Sequence, residues 1–244
     1  MAEENPLSHL KMSIKTARNF KFINDKLTSF LDENGGTYAC EWTETFLDSV
    51  VDDNRFMYLY DSKHLYGVIS FDQIEKVDGI LYVYSSGSCT YERLMIEGHP
   101  ELSSGRVLRA FKLAHIINTI RGRADFIYWG NVLHDATKYN RAMGLVSFTE
   151  SLIPFTSNVL EYIQTKMPGY TENELLNFDP NKNNAMFFPI LVEMQTPVLK
   201  NITAYNVIQY ILPQSTKIGR LTKRKYKRSK RKLHKKYKKS VTSF

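Results

Sequence analysis

A chain of 244 residues, 43% of them hydrophobic, can bury one full domain with an appendage or two small domains, and no run in it approaches the roughly 18 uninterrupted apolar residues of a membrane span. Two cysteines and six scattered histidines exclude a disulfide framework and offer no set at metal-ligand spacing, and the opening MAEENPLSHLKMSIK lacks a signal-peptide apolar stretch, so the expectation is a soluble, cytoplasmic protein. The formal charge of +8 hides two unlike pieces: residues 217–244 hold fourteen Lys and Arg and no acid, which leaves 19 bases against 25 acids, a net of −6, for residues 1–216.

In chain order, residues 14–31 predict a helix, with Ala17, Phe20, Ile23, Leu27 and Leu31 three or four apart, stopped by Asn34-Gly35-Gly36. A second helix is expected around residues 42–51, where Trp42, Phe46, Val50 and Val51 alternate with acids, closed by Asp52-Asp53-Asn54. RFMYLYD, LYGVISFDQI and GILYVYSS read as three strands rich in aromatic and β-branched residues. Their short links, Asp61-Ser62-Lys63 and Lys76-Val77-Asp78-Gly79, predict an antiparallel meander. TYERLMIEG is a further strand-like segment, leading to His99-Pro100 and then to a glycine-opened helix over residues 104–119. Val107, Leu108, Phe111, Leu113, Ala114, Ile116 and Ile117 cover more than one face of that helix, as packing against a sheet requires. DFIYWG follows with the low polarity of a strand buried on both sides.

Beyond residue 150, residues 152–166 read as helical, TENELLNF carries a capping-box pattern in Thr171 and Glu174, and FFPILVEM reads as a strand with a proline at a sheet edge. The expected organisation is a main domain over 1–150, a sheet extension or small subdomain over 151–216, and a tail over 217–244 that cannot make a core and stays disordered until it meets a partner. The fold class expected is mixed α+β.

Residues 105–150 concentrate the chemistry: a helix N-terminus beside an open strand end, where backbone N–H groups and the helix dipole can hold an anionic cofactor. The order of two helices, antiparallel strands, long central helix, strand, helix, glycine and strand resembles the GNAT acetyltransferase superfamily over about residues 14–150. In that family a loop Q/R-x-x-G-x-G/A opens the central helix and wraps the pyrophosphate of acetyl-CoA. The corresponding words here are Leu102-Ser103-Ser104-Gly105-Arg106-Val107, with Leu102 in place of Gln or Arg, and Val107 in place of the last small residue. The family's strand with a terminal Asn, its following helix with an aromatic residue and its glycine-aromatic pair correspond to residues 126–130, Asn131, Tyr139 and Gly144. Here Asn140 holds the place four before the glycine where such enzymes carry Tyr, and Leu145 stands for the usual Phe, with Phe148 nearby. The same words, Trp-Gly-Asn, a His, a helix, Gly and Phe-x-Glu, are also similar to acetyltransferase-fold internal virion proteins of short-tailed phages.

The resemblance implies an acetyl-CoA-dependent transfer to a primary amine. Donor contacts then fall on Ser103, Ser104, Gly105, Arg106, Val107, Arg109 and Asn131, proton donation to the leaving thiolate on Tyr139, and acceptance of the amine proton on Glu92 or Glu97, with His99 and His134 nearby. No metal is implied. The alternative is a catalytically inactive phage structural or DNA-associated protein of the same fold, with virion association, and a third reading is acyl-type modification of DNA bases.

The tail suggests contact with nucleic acid independently of that resemblance. Lys223, Arg224, Lys225, Lys227, Arg228, Lys230, Arg231 and Lys232 interleave with Tyr226, and His234 and Tyr237 follow. Such a composition neutralises phosphates and stacks rings on bases, without sequence specificity and with steep salt dependence.

Overall fold

The structure is a computed structural model and describes residues 5–16, 55–71, 74–85, 87–90, 94–99, 102–121, 124–151, 153–195 and 202–212. The two helices expected over 17–54 and the basic tail lie outside these residues. Residues 11–16, however, form a strand, β1 (Lys11–Thr16), so the N-terminal helix expected from residue 14 does not begin there. Ile14 is paired across the sheet with Met57. Its apolar side chain serves an edge strand, where a period of two satisfies the same residues.

The fold is mixed α+β, with two four-stranded sheets among the described residues. The first has the order β1-β2-β3-β6, all antiparallel, where β2 is Arg55–Tyr60, β3 Leu65–Phe71 and β6 Gly87–Thr90. The β2–β3 link is an Asx turn: the Asp61 carboxylate accepts from the N–H groups of Lys63 and His64 and from the Tyr66 hydroxyl, at 2.6–2.7 Å. The second sheet has the order β4-β5-β7-β8, with β4 Glu75–Val77, β5 Ile80–Ser85, β7 Phe126–Val132 and β8 Asn184–Ile190. Asp78 and Gly79, both at positive φ, turn β4 into β5.

The expected meander is therefore only half present. The segment read as its third strand, residues 79–86, does not pair with β3 but runs parallel to β7 over residues 81–85, and it is the following residues, 87–90, that pair with β3. The alternation of Tyr82 and Tyr84 explains the division, because these two rings are buried against an aromatic cluster that only the β7 side provides.

Helix α1 (Ser104–Ile120) runs over the expected residues and ends where Arg121 takes a left-handed conformation. Its apolar residues unite the two sheets in one core, with Met57, Leu59 and Ile69 from the first and Val83, Phe126, Tyr128, Met186 and Phe188 from the second. Tyr205, Val207, Ile208 and Ile211, from α7 (Ala204–Asn206) and the π-helical turn after it, cover α1 from outside, tied by Asn118 Nδ2 donating to the Ile202 carbonyl at 3.0 Å.

After β7 come α2 (His134–Ala142), the short α3 (Phe148–Ser151), α4 (Ser157–Lys166) and α5 (Glu172–Leu176), then β8 and a helical turn, α6 (Val192–Gln195). The return strand expected directly after Gly144 is absent. Val146 makes a single bridge to Phe187, and Phe148 starts a helix. The strand that pairs with β7 on that side is β8, about forty residues later, in register from Phe126↔Ile190 to Val132↔Asn184. Of FFPILVEM, read as one strand, only FFPI is strand while its last three residues enter α6; Pro189 sits opposite Ile127 in the last strand of the sheet order, where a missing N–H costs little. The intervening α4 and α5 cover the second face of the sheet, and α5 starts with the Thr171–Glu174 capping box that the sequence shows.

Candidate active site

The organising feature is where the strand of residues 80–90 leaves β7. Parallel pairing runs from Leu81↔Phe126 to Ser85↔Gly130 and stops, while β7 continues through Asn131 and Val132, paired only with β8. From Gly87 the other strand belongs to β3. The two strands thus part, leaving a cleft in the pairing between β6 and the end of β7 among the described residues. Gly130 makes the parting point possible: a Cβ there would lie 2.6 Å from the Ser85 carbonyl oxygen, a backbone atom with no freedom to yield.

The start of α1 closes one end of the cleft. A Cβ on Gly105 would meet only the Thr90 methyl, at 3.9 Å, so the helix start lies beside the end of β6 with room to spare. Ser103, the residue before the helix, gives no side-chain cap and is exposed; its carbonyl accepts from Val107 N–H at 2.9 Å. Ser104 turns its Oγ to accept from Leu94 N–H at 2.6 Å, fixing the loop that leaves β6 onto the helix. Arg106 is half-buried, and Val107 is fully buried, with its side chain in the core and its N–H spent on the Ser103 carbonyl.

Of the other donor-binding candidates, Asn131 lies on the free edge of β7 with its Oδ1 enclosed and without a hydrogen-bond partner. Arg109 is 8% exposed and lies between α1, β7 and α2. One of its terminal nitrogens, Nη2, donates to Asn140 Oδ1, its guanidinium carbon is 5.7 Å from the Tyr128 ring centre, and Nη1 is buried with no acceptor. Burial pulls the Arg109 pKa below the usual arginine value, against a weaker opposing contribution from Tyr128. Lys112, fully buried, approaches the same ring to 5.0 Å. No carboxylate pairs with Arg109 among the described residues.

Of the residues proposed for proton transfer, Tyr139, Glu97 and His134 are exposed. Tyr139 is 71% exposed on α2. The residue of α2 that reaches toward α1 is its neighbour Asn140, whose Nδ2 also donates to the Ala136 carbonyl at 2.9 Å. Glu97 is exposed in a turn with Gly98, followed by His99, whose N–H donates to the Ile96 carbonyl. Glu92 lies outside the described residues. His134 opens α2 in an exposed pair with Asp135. Sequence reasoning placed Gly130 at a strand end and noted Asn140 by its spacing from Gly144. It missed the Gly130–Ser85 approach and the Arg109–Asn140 contact, because both join residues more than thirty positions apart in the chain.

A second depression, of about 320 Å³, is lined by His134, Gly169, Tyr170, Glu174, Asn181, Lys182 and Asn183. Its charges are internally matched: Lys182 donates to Glu174, which together with Thr171 holds that carboxyl at about 2, and the Lys182 ammonium is raised in turn. Among the described residues no group of three metal-ligating side chains converges, and no helix is long and apolar enough to cross a membrane.

No family model and no curated protein matches the chain. Among solved structures it is similar to an N-acetyltransferase from Staphylococcus aureus Mu50 (9% identity, 75% of this chain and 98% of that one, TM-score 0.38). It is likewise similar to a chimera of the spermidine N-acetyltransferase SpeG from Vibrio cholerae and hSSAT (14% identity, 78% and 99%, TM-score 0.39 for the K23-Q34 form). A third similar structure is FeeM, an N-acyl amino acid synthase from uncultured soil microbes (12% identity, 83% and 97%, TM-score 0.38).

Proposed function

We propose that this chain is an N-acyltransferase of the GNAT type, which takes an acetyl group from acetyl-CoA to a primary amine and is tethered to nucleic acid by its basic tail. The observation that carries the reading is the parting of residues 80–90 from β7 at Ser85 and Gly130, beside a glycine-containing helix start with no side-chain cap. A helix N-terminus of this kind favours a phosphate, through its N–H groups and dipole. Ser103 to Arg106 supply those groups, Arg106 and Arg109 add charge, and Asn131 offers an unpaired oxygen on the opposite wall. In the transfer the amine nitrogen attacks the thioester carbon; the C–N bond forms, the C–S bond breaks, and the proton lost by nitrogen passes to water or to a carboxylate such as Glu97. Because Tyr139 faces solvent, the leaving thiolate takes its proton from water or from Tyr139 at the cleft mouth.

Calorimetry with acetyl-CoA tests the reading. Low-micromolar binding that is lost in Gly105→Glu, which adds bulk and negative charge at the helix start, is the expected result. A folded sample that binds neither CoA nor acetyl-CoA overturns it. The second reading, an inactive DNA-associated or virion protein of this fold, is favoured by one observation: the inward residue of α2 is an amide, Asn140, with no proton to give a thiolate. The tail is tested separately, since deleting residues 217–244 should remove most low-salt DNA retention while leaving the body folded. Equal retention by the truncated body sinks the tether.

A further inference from the structure

The depression of about 320 Å³ beyond the C-terminal end of β7 is built by three separate pieces of chain: the start of α2, the α4–α5 region and the loop before β8. None of its lining residues belongs to α1 or β6, so it is a different place from the cleft. Its volume suits a small molecule. The buried Asn184 holds the loop before β8: its Oδ1 accepts from Asp179 N–H at 2.8 Å, and its Nδ2 donates to the carbonyls of Asp179 at 2.8 Å and Lys182 at 2.6 Å. Asn183 Oδ1 accepts from His134 N–H at 3.1 Å and ties that loop to α2. Tyr170 is half-buried against the aromatic cluster, and among the described residues its hydroxyl and the side-chain amide of Asn181 make no hydrogen bond. The depression thus has an apolar wall and polar groups free to bond a guest.

The fixed charge in it is Glu174. Oε2 accepts from Thr171 N–H at 2.9 Å and from Thr171 Oγ1 at 2.7 Å, which orients the carboxylate and leaves Oε1 to Lys182 Nζ. The Lys182 side chain is 53% exposed and reaches that oxygen on a flexible four-carbon stem, with Asp179 adding to the attraction. An exposed pair of this kind gains little, because ordering the long side chain offsets the attraction. A free ammonium can therefore replace it at small cost. Lys182 itself shows which group this carboxylate accepts, a primary ammonium on an alkyl chain.

We propose that this depression is a binding site for a small primary alkylamine, whose ammonium replaces that of Lys182 on Glu174 Oε1 while its chain lies along Tyr170. The exchange conserves charge, since one ammonium leaves the carboxylate for water as the other arrives. Lys182 is then a built-in competitor that weakens binding without abolishing it. The site requires no acyl transfer and stands or falls independently of it.

The test is titration of the full chain with n-butylammonium chloride, followed through the backbone amide signals in nitrogen-15 NMR spectra. Tetramethylammonium chloride at matched ionic strength is the control, because it has the same charge and no N–H to donate. In the unaltered protein n-butylammonium shifts the amides of Gly169, Glu174 and Asn183 saturably, and the control does not. Lys182→Ala removes the competitor, and affinity rises at least about threefold. Glu174→Gln removes the charge but keeps the capping box, since Gln at that position still bonds the Thr171 N–H, and affinity falls at least about tenfold. Equal shifts from both salts, or an affinity unchanged in Glu174→Gln, overturn the site. Saturable binding in Lys182→Ala alone makes Lys182 the permanent occupant and overturns it as well.

Discussion

The two faces of the sheet β4-β5-β7-β8 are built from the same alternating strands and have opposite chemistry. One face, under α4 and α5, is an aromatic cluster. Trp129 stacks on Phe187 with ring centres 5.3 Å apart and planes 7° from parallel, Phe148 meets Phe187 edge-on at 5.2 Å, and Tyr84 lies 4.6 Å from Trp129. The polar tip of Trp129 is satisfied within the cluster, where Nε1 donates to the Tyr162 hydroxyl at 3.3 Å. The other face, under α1 and α2, buries Phe126, Tyr128 and Val132 beside Arg109 and Lys112. A closed face of packed rings is a structural one. The other face leaves one guanidinium nitrogen of Arg109 without an acceptor, next to the parted strand pair. One strand can serve both purposes because successive side chains point to opposite sides.

Several substitutions would break or sharpen this contrast. The largest effect is expected from Trp129→Ala, which leaves a cavity among stacked rings and orphans the Tyr162 contact. Denaturant unfolding should show a loss of about 3–5 kcal/mol, and a loss under 1 kcal/mol would mean that the aromatic face does not hold the sheet. Gly130→Ala comes next, because its Cβ conflicts with the Ser85 carbonyl. A destabilisation of about 1–3 kcal/mol is expected, together with a change in ligand binding that Trp129→Ala should not produce at temperatures where it is folded. Smaller is the acid sensitivity of the α2–α3 link. Glu150 is held below its ordinary value of 4.5, chiefly by hydrogen bonds from Arg141, with burial opposing and Ser147 assisting. A lowered carboxylate contributes stability that is fully present above the ordinary value and is lost as pH falls through the lowered one. Thermal melts from pH 7 to pH 3 should therefore show less acid loss in Glu150→Gln than in the unaltered protein, by a modest margin since the pair is more than a third exposed. The smallest stability effect belongs to Gly105→Ala, whose methyl has open space. Its stability should be unchanged or raised by up to about 1 kcal/mol, while CoA affinity falls if a phosphate lies against that residue. Unchanged CoA affinity would separate the helix start from the ligand.

How much was legible follows from the range of each interaction. Helix α1 was readable nearly to the residue, because its apolar spacing is local and its sequence opens with Ser103, Ser104 and Gly105. The capping box at Thr171 and Glu174 was readable for the same reason. Residues 14–16, the end of the N-terminal strand, read as the start of a helix because Ile14 stands three before Ala17, and only pairing with β2 selects the period of two. The return strand after Gly144 was misplaced because Leu145, Val146 and Phe148 are apolar enough for a strand. In the fold, the carboxylate of Glu150 and the side chain of Ser147 cap each other's N–H groups and start a helical turn instead. In the candidate site, the helix start was legible and the partners of its side chains were not: Tyr139 and Asn140 are neighbours in sequence, and only the direction of α2 turns one to solvent and the other to Arg109.

By itself the sequence determined the character of each element: two-faced strands, one long buried helix, a basic tail set apart from an acidic body, and a glycine at residue 130, where backbone approaches backbone. Those properties follow from composition, period and local hydrogen bonding, which act within a few residues. Tertiary structure alone decided that residues 80–90 divide between two sheets, that β8 rather than the segment after Gly144 completes the second sheet, and that a guanidinium is enclosed with one nitrogen unspent. Each of these is a contact between distant segments, settled by which faces can be buried together, and the cleft exists because the strand holding Tyr82 and Tyr84 pairs with β7 only as far as Gly130.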